Sequence, residues 1–206
     1  MKIVLLGPAG AGKGSVAASL HRDFNIPHIS TGDMFRDNIK RDTVIGREAQ
    51  VYTKQGLFVP DEITVRMLVE RLSHADCANG FILDGFPRTL AQAEHLEKFI
   101  EIDRAIELDV SDAIVEKRLL GRYMCSICHV IHSKSIDDLS QCKACGASNF
   151  YQRDDDRDEV IRRRLVQYRE TISDVREFYK SRKILHSVIV SAQDSPEDVY
   201  KKLMTF

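Results

Sequence analysis

Nine consecutive residues, Gly7-Pro8-Ala9-Gly10-Ala11-Gly12-Lys13-Gly14-Ser15, combine four glycines with one lysine and one hydroxyl. Glycines let the backbone curl until successive N–H groups point inward, and a lysine adds a mobile cation. The apolar run Met1 to Leu6 ahead of them reads as a buried strand, and Val16-Ala17-Ala18-Ser19-Leu20 behind them reads as helix. A helix N-terminus adds the positive end of its dipole, so Gly10, Ala11, Gly12, Lys13, Gly14 and Ser15 make a cradle for an anion of two or three phosphates. A glycine-rich turn without a ligand is the alternative, and the strand-loop-helix context argues against it. The pattern G-x-x-x-x-G-K-[ST] holds through Lys13, after which Gly14 precedes Ser15.

Further cations are spaced so that a parallel sheet would gather them. Arg88 follows the apolar run Phe81-Ile82-Leu83 and Asp84, while Arg118 and Arg122 close a helix that follows Ala105 to Asp109. A long helix from about Glu159 to Lys183 carries Ile161, Leu165, Tyr168, Ile172, Val175 and Tyr179 on one stripe. At about 100° per residue Arg164 flanks that stripe and Arg163 points away. Arg162, Arg163, Arg169 and Arg176 are expected on a solvated face. Arginines and a lysine converging on two anions suit phosphoryl transfer, which asks a protein mainly for positioning and charge neutralisation. An acceptor that is itself a phosphate needs no general base, and the histidines at 21, 28, 74, 95 and 186 read as surface or packing residues. Asp84 is either a residue of a Mg²⁺ shell or a cap on the turn at Gly85.

Cys125, Cys128, Cys142 and Cys145 form C-x2-C-x13-C-x2-C. Two such knuckles in a reducing compartment suit a tetrahedral metal, zinc by default with iron also compatible, over a disulfide pair or free thiols. Cys77 lies outside this set and reads as a small, partly buried side chain.

The elements that must position these groups alternate between strand and helix. After the first strand and helix come an extended piece at Ile26 to Ile29, a helix start at Ser30-Thr31-Gly32-Asp33, and a helix from Thr43 to Gln55 closed by Gly56. Pro60-Asp61-Glu62 opens a helix that turns Ile63, Met67, Leu68 and Leu72 inward. A helix follows Arg88 from about Thr89 to Ile100, the cysteine segment reads as loop, and a strand at Ile184 to Val190 and a helix after Ser195-Pro196 end the chain. Such alternation makes an α/β fold with a parallel sheet covered on both faces, whose ligands lie beyond the carboxyl ends of the strands. The 206 residues carry a net charge of −1, which argues against a nucleic-acid binder that relies on bulk charge. No signal peptide or membrane-length apolar run is present, so a cytoplasmic soluble protein is expected.

The G-K-G-S form of the loop, STGDMFR at Ser30 to Arg36, LDGFPRTLAQAE at Leu83 to Glu94, KRLLGR at Lys117 to Arg122, and QRDDD with RRRL near the long helix together resemble the adenylate kinase family, from Lys2 to about Tyr200. The resemblance implies Mg²⁺-dependent transfer of the terminal phosphoryl group of ATP to AMP, giving two ADP. It implies AMP contacts from Thr31, Arg36, Val59, Gly85, Arg88 and Gln92, with Gln92 at the adenine edge and Arg36 and Arg88 on the phosphate. By the same likeness Arg118 stacks on the ATP adenine. Lys13 and the loop amides hold the ATP phosphates, and Arg122, Arg153 and Arg164 close on the phosphates with Asp155 and Asp156 ordering them. It implies a core (1–29, 60–121, 160–206), a mobile AMP-binding part (30–59) and a metal-bearing lid (122–159) that excludes water when closed, in a monomer with nucleotides as its partners. In the lid, Val130, Ile131, Ile136, Leu139 and Phe150 supply what apolar burial there is.

Two departures accompany the likeness. The stretch between the knuckles is shorter than is usual for the metal-bearing lid, and Tyr123 stands where a basic residue often follows the arginine. Two rival functions are weighed. A UMP/CMP-type kinase on the same core is disfavoured by Thr89, where those enzymes carry asparagine, and by the long lid. A zinc-ribbon nucleic-acid binder using ATP as a switch is disfavoured by the lack of interleaved aromatics and of net basic charge.

Overall fold

The computed structural model describes residues 1–134 and 137–205; Ser135 and Ile136, the latter counted above among the lid's apolar residues, lie outside them. In chain order the elements are β1 (Lys2–Leu6), α1 (Lys13–Phe24), β2 (His28–Ser30), α2 (Thr31–Lys40), α3 (Val44–Thr53), α4 (Asp61–Leu72), β3 (Phe81–Asp84), α5 (Leu90–Glu97), β4 (Arg104–Val110) and α6 (Asp112–Leu120). The chain continues through β5 (Arg122–Cys125), β6 (Ile131–Ser133), β7 (Phe150–Tyr151), α7 (Asp158–Ser181), β8 (Leu185–Val190) and α8 (Pro196–Leu203).

Five strands form one parallel sheet in the order β2-β3-β1-β4-β8. Successive side chains of a strand point to opposite faces, and both faces of this sheet are packed. Ile3 and Leu5 enter one apolar cluster with Ile82, Ile106 and Leu108, while Val4 and Leu6 enter a second with Ile29, Leu83 and Ala105. Helix α7 serves both clusters, giving Ile161 and Leu165 to the first and Ile172, Val175, Phe178 and Tyr179 to the second. With β3 and β4 flanking β1, the segments leaving β1 and β3 open side by side at the carboxyl edge.

Four helices start where a short polar side chain satisfies a free amide. The Ser30, Thr43 and Thr89 hydroxyls accept from the N–H groups of Asp33, Gly46 and Gln92, and Ser195 with Asp198 makes a full capping box. Helix α5 ends at Glu97, short of the expected Ile100.

The cysteine segment corrects the loop expectation. Its strands form a separate antiparallel sheet in the order β6-β5-β7, with Met124 and Cys125 of β5 buried. Strands of two to four residues offer too few positions for alternation to show in the sequence. Among the described residues, no helix is long and apolar enough to cross a membrane.

Candidate active site

The phosphate loop joins β1 to α1 through three glycines at positive φ, Gly7, Gly10 and Gly12. Gly12, at φ 103°, is the residue from which α1 starts, a conformation closed to most side chains. Gly14, expected to help curl the loop, is instead within α1 and has open space around it. Lys13 Nζ donates to the carbonyls of Gly7 at 2.8 Å and Pro8 at 2.9 Å, and lies 3.7 Å from an Asp84 carboxylate oxygen at the end of β3. Burial lowers the Lys13 pKa, Asp84 pulls the other way, and Arg88 and Arg164 lower it further. Burial likewise works against the Asp84 charge, but Lys13 and the His28 ring, 3.3 Å away, hold its pKa below the ordinary carboxylate value.

After β3 the chain turns through Gly85 and a cis Phe86-Pro87 bond to Arg88. Gly85 sits at φ 85°, and a side chain there would come within 2.7 Å of the Thr31 hydroxyl. That hydroxyl donates to the Asp84 carbonyl at 3.3 Å, so Thr31 borders the same turn. Arg88 Nε donates to the Gly85 carbonyl at 2.7 Å, and its guanidinium lies over the Phe58 ring, 4.9 Å from the centroid. Burial, and then the repulsion of Arg164 and Arg36, bring the Arg88 pKa down to about 10 against the pull of Asp84. Arg36 itself pairs with Asp33 one turn earlier on α2.

The remaining arginines come from the segment between α6 and α7. Arg122 makes a two-pronged contact with Asp156, whose side chain is wholly buried, the Nε to Oδ2 bond being 2.8 Å. Arg164 donates to the Asp155 carboxylate at 2.7 Å and to its carbonyl at 3.1 Å. Arg153 lies against Met124 Sδ, and burial with the nearness of Arg36 and Arg122 lowers its pKa to about 10. Burial opposes the charge of Asp155, yet Arg164, Arg36, Arg122 and Arg153 together hold its pKa below the usual value.

Lys13, Arg36, Arg88, Arg122, Arg153 and Arg164 are thus close enough to act on one another, with Asp84 and Asp155 between them. Arg118 stands at the side of the loop, donating to the Ala11 carbonyl at 3.2 Å. Val59 is 7% exposed, packs with Phe35, Ala49 and Met67, and its carbonyl accepts from Thr64. Gln92 is buried at the start of α5 and bonds the Arg88 amide.

Of the arginines expected on a solvated face of α7, Arg162, Arg163 and Arg169 are exposed and Arg176 alone needs correction. Arg176 grips both oxygens of Glu107, a β4 residue only 2% exposed, Arg169 pairs with Asp112, and Arg163 donates to the Gln55 carbonyl. A long stem lets an arginine at the edge of a buried stripe reach inward. Sequence reasoning missed three other side chains: Phe58 under Arg88, Asp61 beside Gln92, and His28 against Asp84. His28 alone could have been found, from its place in β2 near the carboxyl edge.

The four knuckle cysteines meet in the small sheet, their sulfurs all within 4.8 Å of one another. Cys125 and Cys145 are 3.5 Å apart, as are Cys128 and Cys142. Four sulfurs at about 2.3 Å from a tetrahedral ion stand about 3.8 Å from each other, so the donor set fits one metal. Amides of Cys128 and Ile127, with the Cys145 sulfur, favour the Cys125 thiolate and bring its pKa to about 6. His132 is buried beside them, its Nε2 3.3 Å from Cys142 Sγ.

Comparison with known proteins places these observations. The family model described as adenylate kinase matches residues 5–184. The protein named adenylate kinase from Caldicellulosiruptor bescii is 41% identical over 213 aligned positions, covering 99% of this chain and 97% of its own length. That of Clostridium botulinum (strain Eklund 17B / Type B) is 45% identical and covers 91% of each chain, and that of Alkaliphilus oremlandii is 42% identical over 100% of this chain and 97% of its own.

Proposed function

The chain belongs to the adenylate kinase family and is an ATP:AMP phosphotransferase, and we propose that the cations gathered around Lys13 and Arg88 carry the reaction. Lys13 and the amides from Gly10 to Ser15 hold the donor phosphates, with Arg118 on the donor base. Thr31, Val59, Gly85 and Gln92 border the acceptor base, and Arg36 and Arg88 take its phosphate. Arg122, Arg153 and Arg164 neutralise the charge that spreads over the group in transfer. Since the acceptor is a phosphate, no side chain has to remove a proton. The observation that carries this assignment is the convergence of Lys13, Arg36, Arg88, Arg122, Arg153 and Arg164 on four carboxylates, Asp33, Asp84, Asp155 and Asp156, an excess of largely buried positive charge that bound anions would offset.

Mg²⁺ accompanies ATP in this family and supplies further neutralisation of the phosphates; Asp84, held ionised beside Lys13, is the residue placed to face its water shell. We assign zinc to the four cysteines, as a structural ion with every coordination position filled by sulfur. Residues 1–29, 60–121 and 160–206 act as the core, 30–59 as a mobile AMP-binding part and 122–159 as a lid. A lid that closes over both substrates keeps the phosphoryl group from water. The chain is taken to act as a monomer, and metal-bound thiolates suit the reducing cytoplasm. To test the division of labour, Arg36→Ala should raise the KM for AMP about tenfold or more and leave that for ATP within about twofold, whereas Arg118→Ala should do the reverse. Equal effects on both substrates from either variant would overturn the assignment.

A further inference from the structure

Gln92 is 3% exposed, and its amide is fixed by two partners of unambiguous polarity. The backbone N–H of Arg88 can only donate, so the amide atom 2.7 Å from it is the oxygen, Oε1. The Asp61 carboxylate can only accept, so the atom 2.5 Å from its Oδ1 is the nitrogen, Nε2. Turning the amide over would replace two hydrogen bonds by two repulsions. Asp61 is held in turn by the Thr89 hydroxyl, 3.5 Å from Oδ2, and that hydroxyl also caps α5 by accepting from the Gln92 N–H at 3.2 Å. Thr89, Asp61 and Gln92 therefore close a ring that ties the first turn of α4 to the first turn of α5.

A primary amide has two N–H donors and two acceptor lone pairs. With one of each engaged, Gln92 keeps one acceptor on Oε1 and one donor on Nε2 for a ligand. An adenine edge offers the matching pair, an amino donor at position 6 and an acceptor at N1. A 6-oxopurine offers the reverse, an acceptor at position 6 and an N1–H donor, and would leave both groups facing like partners. We propose that Asp61 is a positioning residue that locks the Gln92 amide in the orientation accepting a 6-amino group, and so sets the choice between adenine and 6-oxopurine acceptors. The proposal rests on the assignment of Gln92 to the acceptor base made above.

The experiment measures kcat and KM for AMP and for IMP, at saturating ATP, in the intact chain and five variants. Asp61→Ala should raise the KM for AMP about tenfold and shrink the AMP over IMP preference by about the same factor, leaving the KM for ATP unchanged. Asp61→Asn should restore most of both, because its Oδ1 still accepts from Nε2. Glu62→Ala, in the same helical turn without a contact to Gln92, controls for the lost charge at the start of α4 and should change neither. Gln92→Leu separates the two levels of inference. If it abolishes the preference while Asp61→Ala behaves like Glu62→Ala, or raises both KM values equally, the lock is wrong and the site assignment stands. If Gln92→Leu leaves the preference intact, the site assignment fails and the lock with it. Asp61→Ser, too short to reach Gln92 but a good helix start, gives the same reading if the alanine variant is unstable.

Discussion

Arg164 Nη1 donates to Asp155 Oδ2 at 2.7 Å, joining the body of α7 to the segment that returns from the small sheet. Both side chains are largely buried, about four-fifths hidden from water. The pair thus connects the arginine cluster to the boundary at which the lid is proposed to move. A carboxylate whose folded pKa lies below its ordinary 3.8 contributes stability that is complete above that value and is lost as pH falls through the folded one. Asp155 is such a group, so acid should loosen this junction below about pH 3.8. Asp155→Asn should flatten the acid limb of the stability curve there and weaken phosphoryl transfer at neutral pH. Chemical denaturation across pH 2 to 7 checks it, and an unchanged acid limb would remove Asp155 from the network.

Arg88→Lys should lose on the order of 100-fold in kcat/KM, about 2.7 kcal/mol of transition-state stabilisation, with part of the loss in kcat. A guanidinium fork can hold two phosphate oxygens together, and lysine offers a point charge without that plane. Lysine would also give up the contact over Phe58. Arg163→Lys, at an exposed residue bonded to the Gln55 carbonyl, should stay within about twofold. Steady-state kinetics on the two variants decides, and equal small effects would sink the placement of Arg88 on the acceptor phosphate.

Metal removal should melt the small sheet before the core. Its strands are two to four residues long, and Ile127, Val130 and Ile131 are exposed, so apolar contacts there are few. Structural zinc contributes on the order of 10 kcal/mol to the folding of small metal modules, well beyond what such contacts supply. Chelation, or Cys142→Ser with Cys145→Ser, should give an earlier thermal transition, weaker ATP binding and more ATP hydrolysed per phosphoryl transferred, while AMP binding changes little. Metal content per chain and calorimetry before and after chelation are the measurements. A chain from metal-replete medium that holds no metal, or whose stability ignores its removal, would contradict the assignment.

The parts of this molecule legible in its sequence are those that depend on spacing. The phosphate loop, the cysteine knuckles and the inward side of α7 each follow from a fixed interval, and helical periodicity puts Arg164 beside that inward side. What stayed hidden depends on contacts between distant segments. Arg176 looked like a solvated arginine because its partner Glu107 lies 69 residues away in a strand that otherwise reads as buried. Asp61 looked like one more acidic residue at a helix start, though Gln92 is 31 residues further on. The small sheet was invisible for another reason, since strands so short carry no alternation to read.

The most direct test of the whole account is a coupled assay with ATP as donor and AMP, CMP, UMP and GMP each offered as acceptor. We expect AMP to be used with a kcat/KM at least about 100-fold above any other acceptor, with two ADP formed per turnover and activity dependent on Mg²⁺. Strong preference for CMP or UMP, or ATP consumption without any phosphorylated acceptor, would contradict it.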